Sequence, residues 1–115
     1  MARFQTPEEV LDAVQRHFLP EKAGNTRAVV QLHLTGEGGG DWVLTIADGA
    51  LDVAPGVAPA PDLSFSAAVE DFLAMANGEM DAMKTYFSGK VRFKGSLRLA
   101  YRLADLFRMP GGSDG

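Results

Sequence analysis

The stretch AVVQLHLTGEGGGDWVLTIADGALDV, residues 28–53, decides the fold. Its apolar side chains recur at every second position around two turn-forming segments, the period of a half-buried strand rather than of a helix. Asp48-Gly49 joins two of the runs with the residue pair that a two-residue hairpin favours. Pairing outward from that turn sets Ile46 opposite Leu51 and Leu44 opposite Val53, so the four share one face. Alternation adds Trp42 to this face, with Val30, Leu32 and Leu34 from the preceding strand.

Upstream, QTPEEVLDAVQRHFLP is predicted to be a helix. Thr6 is the cap, Pro7 the first helical residue, Glu9 the partner in a capping box, and Pro20 the stop. Val10, Leu11, Val14 and Phe18 form its apolar stripe. Downstream, the Pro-interrupted segment 56–61 connects to a fourth strand, DLSFSA, with Leu63 and Phe65 inward. Ser66 is then expected to cap a helix over VEDFLAMANG that stops at Gly78. A short helix in DAMKTYFSG follows, with Met80, Met83 and Phe87 on one side and Gly89 closing it. Residues 90–95 form a fifth strand, Val91 and Phe93 inward and Lys90, Arg92 and Lys94 outward. Ser96 caps a last, strongly two-faced helix, LRLAYRLADLF. The order α-β-β-β-β-α-α-β-α predicts an α+β fold of two layers, a five-stranded mixed sheet with helices on one face. The other face is predicted to be polar, from Gln31 and His33 through Thr45, Asp52 and Ser64 to the basic residues of the fifth strand.

The 115 residues fit one domain, 1–109, with a flexible tail at 110–115. No apolar run is long enough to cross a bilayer, and the first ten residues lack the apolar centre of a secretory signal, so a cytoplasmic protein is expected. The absence of cysteine excludes disulfides, thiolate nucleophiles and Cys-bound metals. Charge is lopsided: residues 1–83 carry 4 basic and 13 acidic residues, whereas residues 84–108 carry 7 basic residues against Asp105 alone. Such a bias marks an anion-facing surface or a solvated face.

Catalytic motifs are missing. GEGGGD at 36–41 lies between strands, whereas a phosphate cradle needs a helix N-terminus after the glycines, so a hairpin loop is expected. Gly89-Lys90 is followed by Val91, not by the hydroxyl residue that holds magnesium in a phosphate loop. Phe93 points inward, which leaves the basic strand without stacking aromatics for nucleic acid. His17 and His33 have no neighbour that could serve as nucleophile or second metal ligand. No enzyme, metal or cofactor is indicated. Bulky apolar surface remains, and methionine within it suits a wall that accepts varied shapes. A packed core has the same periodicity.

Residues 61–107 resemble the sterol carrier protein 2 family of lipid-binding domains. The resemblance is carried by Asp71-Phe72-Leu73 to Asn77-Gly78, by Phe87-Ser88-Gly89-Lys90 to Gly95, and by Leu99-Ala100 to Leu103 and Leu106. It implies an apolar tunnel between sheet and helices that holds a fatty acid, acyl-CoA, phospholipid or sterol, without catalytic residues. The peroxisomal tail of eukaryotic members is absent, and the richness in Ala, Gly, Arg and Val points to a bacterial source with acyl lipids as cargo. The expected walls are Leu32, Leu34, Trp42, Leu44, Ile46, Phe65, Phe72, Met75, Met80, Met83, Phe87, Phe93, Leu99, Leu103 and Phe107. Lys84, Lys90, Arg98 and Arg102 are the candidates for an anionic head group or a transient contact with an anionic membrane. The alternative is an oligomerisation or partner-binding module of the same fold with no cargo; a dimer is compatible with either.

Overall fold

Thr6 opens α1 (Pro7–His17) as expected: its hydroxyl accepts the Glu9 N–H at 3.2 Å, and the Glu9 carboxylate accepts the Thr6 N–H at 3.2 Å. Two N–H groups that no helical carbonyl can reach are thereby satisfied. The buried side is Pro7, Val10, Leu11, Ala13 and Val14. Pro20 is not the immediate stop. The helix ends at His17, Phe18 turns extended, and Pro20 opens a four-residue helical turn, α2 (Pro20–Ala23), where its missing N–H costs nothing. The computed structural model describes residues 3–18, 20–80, 84, 88–96, 98, 99 and 102.

Five strands follow: β1 (Ala28–Thr35), β2 (Gly40–Ala47), β3 (Ala50–Pro55), β4 (Leu63–Ala68) and β5 (Val91–Gly95). They form one mixed sheet in the order β3-β2-β1-β4-β5, parallel only between β1 and β4. The β2–β3 hairpin has the register set by its turn, Ile46 opposite Leu51 and Leu44 opposite Val53. Asp48 at φ 53° and Gly49 at φ 74° give the left-handed pair that such a turn needs.

β4 reaches its place beside β1 through residues 56–62, which pass the outer side of the sheet, and two polar side chains fasten the crossing. Gln31 Nε2 donates to the carbonyls of Trp42 at 3.1 Å and Gly56 at 3.0 Å, while its Oε1 accepts the Ala58 N–H at 2.7 Å. Asp62 accepts the Val29 N–H through its carboxylate and donates its own N–H to the Val29 carbonyl, both at 2.8 Å. Gln31, on the polar outer face as expected, is therefore only 8% exposed beneath the crossing. Gly95 closes the same corner: a Cβ there would stand 2.5 Å from the Asp62 carbonyl oxygen, and its φ is +121°.

α3 (Val69–Ala76) continues from β4 without a break. Ser66 is not its cap. The strand runs on, Ser66 pairing with Arg92 on one side and His33 on the other, and extended Ala68 stands at the cap position with no side-chain hydrogen bond. The other end is as expected, with Gly78 at φ 77°. The Glu79 N–H reaches the Ala74 carbonyl and the Gly78 N–H the Met75 carbonyl, a Schellman stop. Lys84, Arg98, Leu99 and Arg102 are helical positions, and the Ser96 hydroxyl accepts the Leu99 N–H at 3.2 Å, as a cap does. The Ser88 N–H reaches the Lys84 carbonyl at 3.0 Å and Gly89, the expected stop, has φ 83°; the remaining residues of the two expected later helices lie outside the described residues.

Candidate functional site

The pleat sends one set of side chains from every strand to the face that α1 and α3 cover. The register then lines them up in rows across the strands. One row is Trp42, Leu32, Phe65 and Phe93, on β2, β1, β4 and β5 in turn. Beside it lie Leu34, Ala67 and Val91, and on its other side Leu44, Val30 and Leu63.

Burial divides these residues into two groups. Leu32, Leu34, Leu44 and Ile46 are closed in, at 5%, 2%, 6% and 0% exposure, within one cluster with Leu11, Val30, Leu63, Ala67 and Val91. They form a floor. Trp42, Phe65, Phe72, Met75, Phe93 and Leu99 pack on that floor but remain half-buried. The Phe65 ring meets Phe93 edge-on at 5.1 Å between centroids, and Phe72 of α3 at 6.3 Å. Each such edge contact adds about 0.5–1.5 kcal/mol beyond the area it buries, and holds the three rings in fixed relation. Gly40 gives the Trp42 ring room: an added Cβ would lie 3.4 Å from it. Met80 is half-buried at the bend after α3. Met83, Phe87, Leu103 and Phe107 lie outside the described residues.

α3 is apolar around most of its circumference, yet none of its residues is buried. A helix of that composition normally disappears into a core. Here Phe72 and Met75 touch the cluster with one side and leave the other open. The face carries no ionisable side chain in its three rows, so what it offers is dispersion and the exclusion of water.

The charged candidates lie outside these three rows. Lys84, Lys90, Arg98 and Arg102 are all exposed, Lys90 just before buried Val91 and Arg98 just before half-buried Leu99. His33, on the outer face, meets Asp41 with Nδ1 2.5 Å from Oδ1, a cross-strand surface pair. No group of three or more His, Asp or Glu among the described residues could hold a metal ion. No helix among the described residues is long and apolar enough to cross a membrane.

Two features could not be reached by reading local sequence. Asn77 grips the backbone of Phe4 from both sides, its Oδ1 accepting the N–H at 2.8 Å and its Nδ2 donating to the carbonyl at 3.0 Å. Alongside, Arg3 pairs with Glu79; the hydrogen bond to Arg3 holds the Glu79 carboxyl below its usual range and raises the Arg3 guanidinium in turn. The N-terminal segment is thus tied to the end of α3. The only local signal was the Asn-Gly step, which marks a helix end but names no partner.

The profile of the SCP-2 sterol transfer family matches residues 9–108. Hydroxysteroid dehydrogenase-like protein 2 of Rattus norvegicus is 34% identical over 104 residues, 90% of this chain and 20% of the rat protein. Sterol carrier protein 2 of Homo sapiens is 32% identical over 72 residues, 63% of this chain and 13% of the human protein. Palmitated SCP2L2 from Aedes aegypti has the same fold, with TM-score 0.73 at 22% identity over 90% of this chain and 96% of that one. So does the sec-alkylsulfatase Pisa1 from Pseudomonas sp., with TM-score 0.75 at 18% identity over 91% of this chain and 16% of that one. The chain spans about a fifth of the rat relative's length. With the profile matched over most of its residues and the five-stranded mixed sheet in common, the chain belongs to the SCP-2 sterol transfer family, a family of lipid-binding domains.

Proposed function

We propose that the protein is a non-catalytic carrier that holds a long acyl chain, as a fatty acid, acyl-CoA or phospholipid, against the inner sheet face beneath α3. The observation that carries this reading is the half-buried group Trp42, Phe65, Phe72, Met75 and Phe93 over a closed aliphatic floor, with no ionisable group among them. Each methylene removed from water contributes roughly 0.8 kcal/mol, so a chain of ten or more needs no charged anchor. The palmitated state in the name of the Aedes aegypti structure supports an acyl ligand for this fold.

Displacement of a fluorescent fatty acid, with native mass spectrometry of protein purified without detergent, tests the proposal. Saturable binding and a co-purifying lipid are expected, and Phe93→Asp should weaken the binding at least about tenfold. No saturable binding and no bound lipid would sink the carrier. The unburied apolar side of α3 favours one other reading, a docking module for a protein helix, and a lipid-free protein that self-associates through α3 would establish it.

A further inference from the structure

The two ends of α3 are held in different ways. At its start β4 runs straight into the helix, and extended Ala68 stands at the cap position with no side-chain hydrogen bond. Along its length Val69, Phe72 and Met75 pack on the core cluster, yet none of its eight residues is buried. At the far end the Asn77 side chain accepts the Phe4 N–H at 2.8 Å and donates to the Phe4 carbonyl at 3.0 Å, across 73 positions of sequence. Two residues on, Glu79 pairs with Arg3. Both partners lie in the segment that leads into α1, and α1 is fixed in the core through Leu11. A short strap therefore ties the far end of α3 to an anchored helix.

The two contacts are unequal. Arg3 and Glu79 are exposed, and solvent leaves such a pair with little net effect. The half-buried Asn77 amide carries donor and acceptor on one rigid group, matched to the N–H and C=O of a single residue as a neighbouring strand would be. It bears no charge, so salt does not weaken it.

We infer that residues 3–5 are a strap that holds α3 down on the sheet, with Asn77 as its latch, and that unlatching lets α3 lift about its Ala68 end. Lifting parts the Phe72 ring from Phe65 and uncovers the sheet side of the aromatic row. The purpose of this motion rests on the carrier reading: α3 is the gate through which an acyl chain reaches the floor.

Asn77→Ala tests the latch through two readouts. A detached helix of eight residues does not keep its own hydrogen bonds in water, so lifting appears as amide exchange within α3. In lipid-free protein the amides of residues 73–76 should exchange about tenfold faster in N77A, for the loss of two part-buried hydrogen bonds, while those of β1 should not change. In stopped flow, release of a bound fluorescent fatty acid into excess unlabelled fatty acid should also be about tenfold faster, with Kd within about threefold of wild type because entry accelerates too. The chain has no cysteine, so a short bismaleimide can bridge positions 3 and 79 selectively in R3C/N77A/E79C, and the bridge should restore slow exchange and slow release. Equal acceleration of α3 and β1 amides is general destabilisation and overturns the latch. Unchanged α3 exchange overturns it as well, and faster α3 exchange with release as in wild type overturns the gate. A wild type that binds no fatty acid refutes the carrier instead, and the α3 amides of lipid-free N77A then decide the latch on their own.

Discussion

Alanine at Leu34 and at Phe93 should act on different properties of the same face. Leu34 is 2% exposed and enclosed by the floor, so truncation removes a full side chain from a packed site at about 3 kcal/mol. Phe93 is half-buried on an edge strand; about half the usual cost of a buried Phe, including the edge contact with Phe65, gives roughly 2 kcal/mol. For a domain of this size these losses lower Tm by about 12 and 8 °C. Affinity should run the other way. In the proposed carrier, removing the Phe93 ring would uncover two or three methylenes of an acyl chain at roughly 0.8 kcal/mol each, which should raise Kd by about 15-fold or more. Leu34 touches only protein, and its truncation should change Kd by less than about threefold at a temperature where both variants are folded. Thermal melts followed by fatty-acid titration at 20 °C or below give both values. An unchanged Kd for Phe93→Ala, or a larger change for Leu34→Ala, would refute the division into floor and lining.

Three further outcomes follow from the fold. Gly95→Ala should destabilise by about 2–4 kcal/mol in a denaturant melt, because its Cβ runs into the Asp62 carbonyl from a left-handed backbone. Gln31→Leu should cost about 2–4 kcal/mol in the same melt by stranding the Gly56 carbonyl and the Ala58 N–H, and amide exchange should rise first at Ala58. The depressed Glu79 carboxyl makes the Arg3 pair present at neutral pH and lost as pH falls through the folded-state value. NMR titration should therefore show Glu79 releasing Arg3 on acidification, while the Phe4 amide stays protected by Asn77, which carries no charge.

What was legible in the sequence was whatever a few neighbouring residues determine. Asp48-Gly49 fixed the hairpin and its register, Thr6 and Glu9 the first helix, and Gly78 the end of α3, because each turn or cap is satisfied within a span of about four residues. Ser66 misled because a hydroxyl before an apolar run signals a cap only where the strand has already ended, and the ladder to Arg92 and His33 holds it extended. Gln31 read as an outward residue by alternation, which is correct for its direction; its burial depends on a loop that arrives 25 residues later. The candidate face was legible as an apolar stripe on each strand. Which members are floor and which are lining was not, since periodicity assigns a side chain to a face without saying how much of it a neighbour covers.

The single parallel junction, between β1 and β4, has a consequence for how the protein comes into being. β1, β2 and β3 form a meander that closes through short turns, whereas β4 and β5 join only after the 56–62 crossing has been laid down over Gln31. The aromatic row straddles that junction, Trp42 and Leu32 on the early side and Phe65 and Phe93 on the late one. Contacts with the larger sequence separation form later. Floor and lining are thus each divided between the meander and the later strands, and the aromatic row is whole only once β4 and β5 have joined.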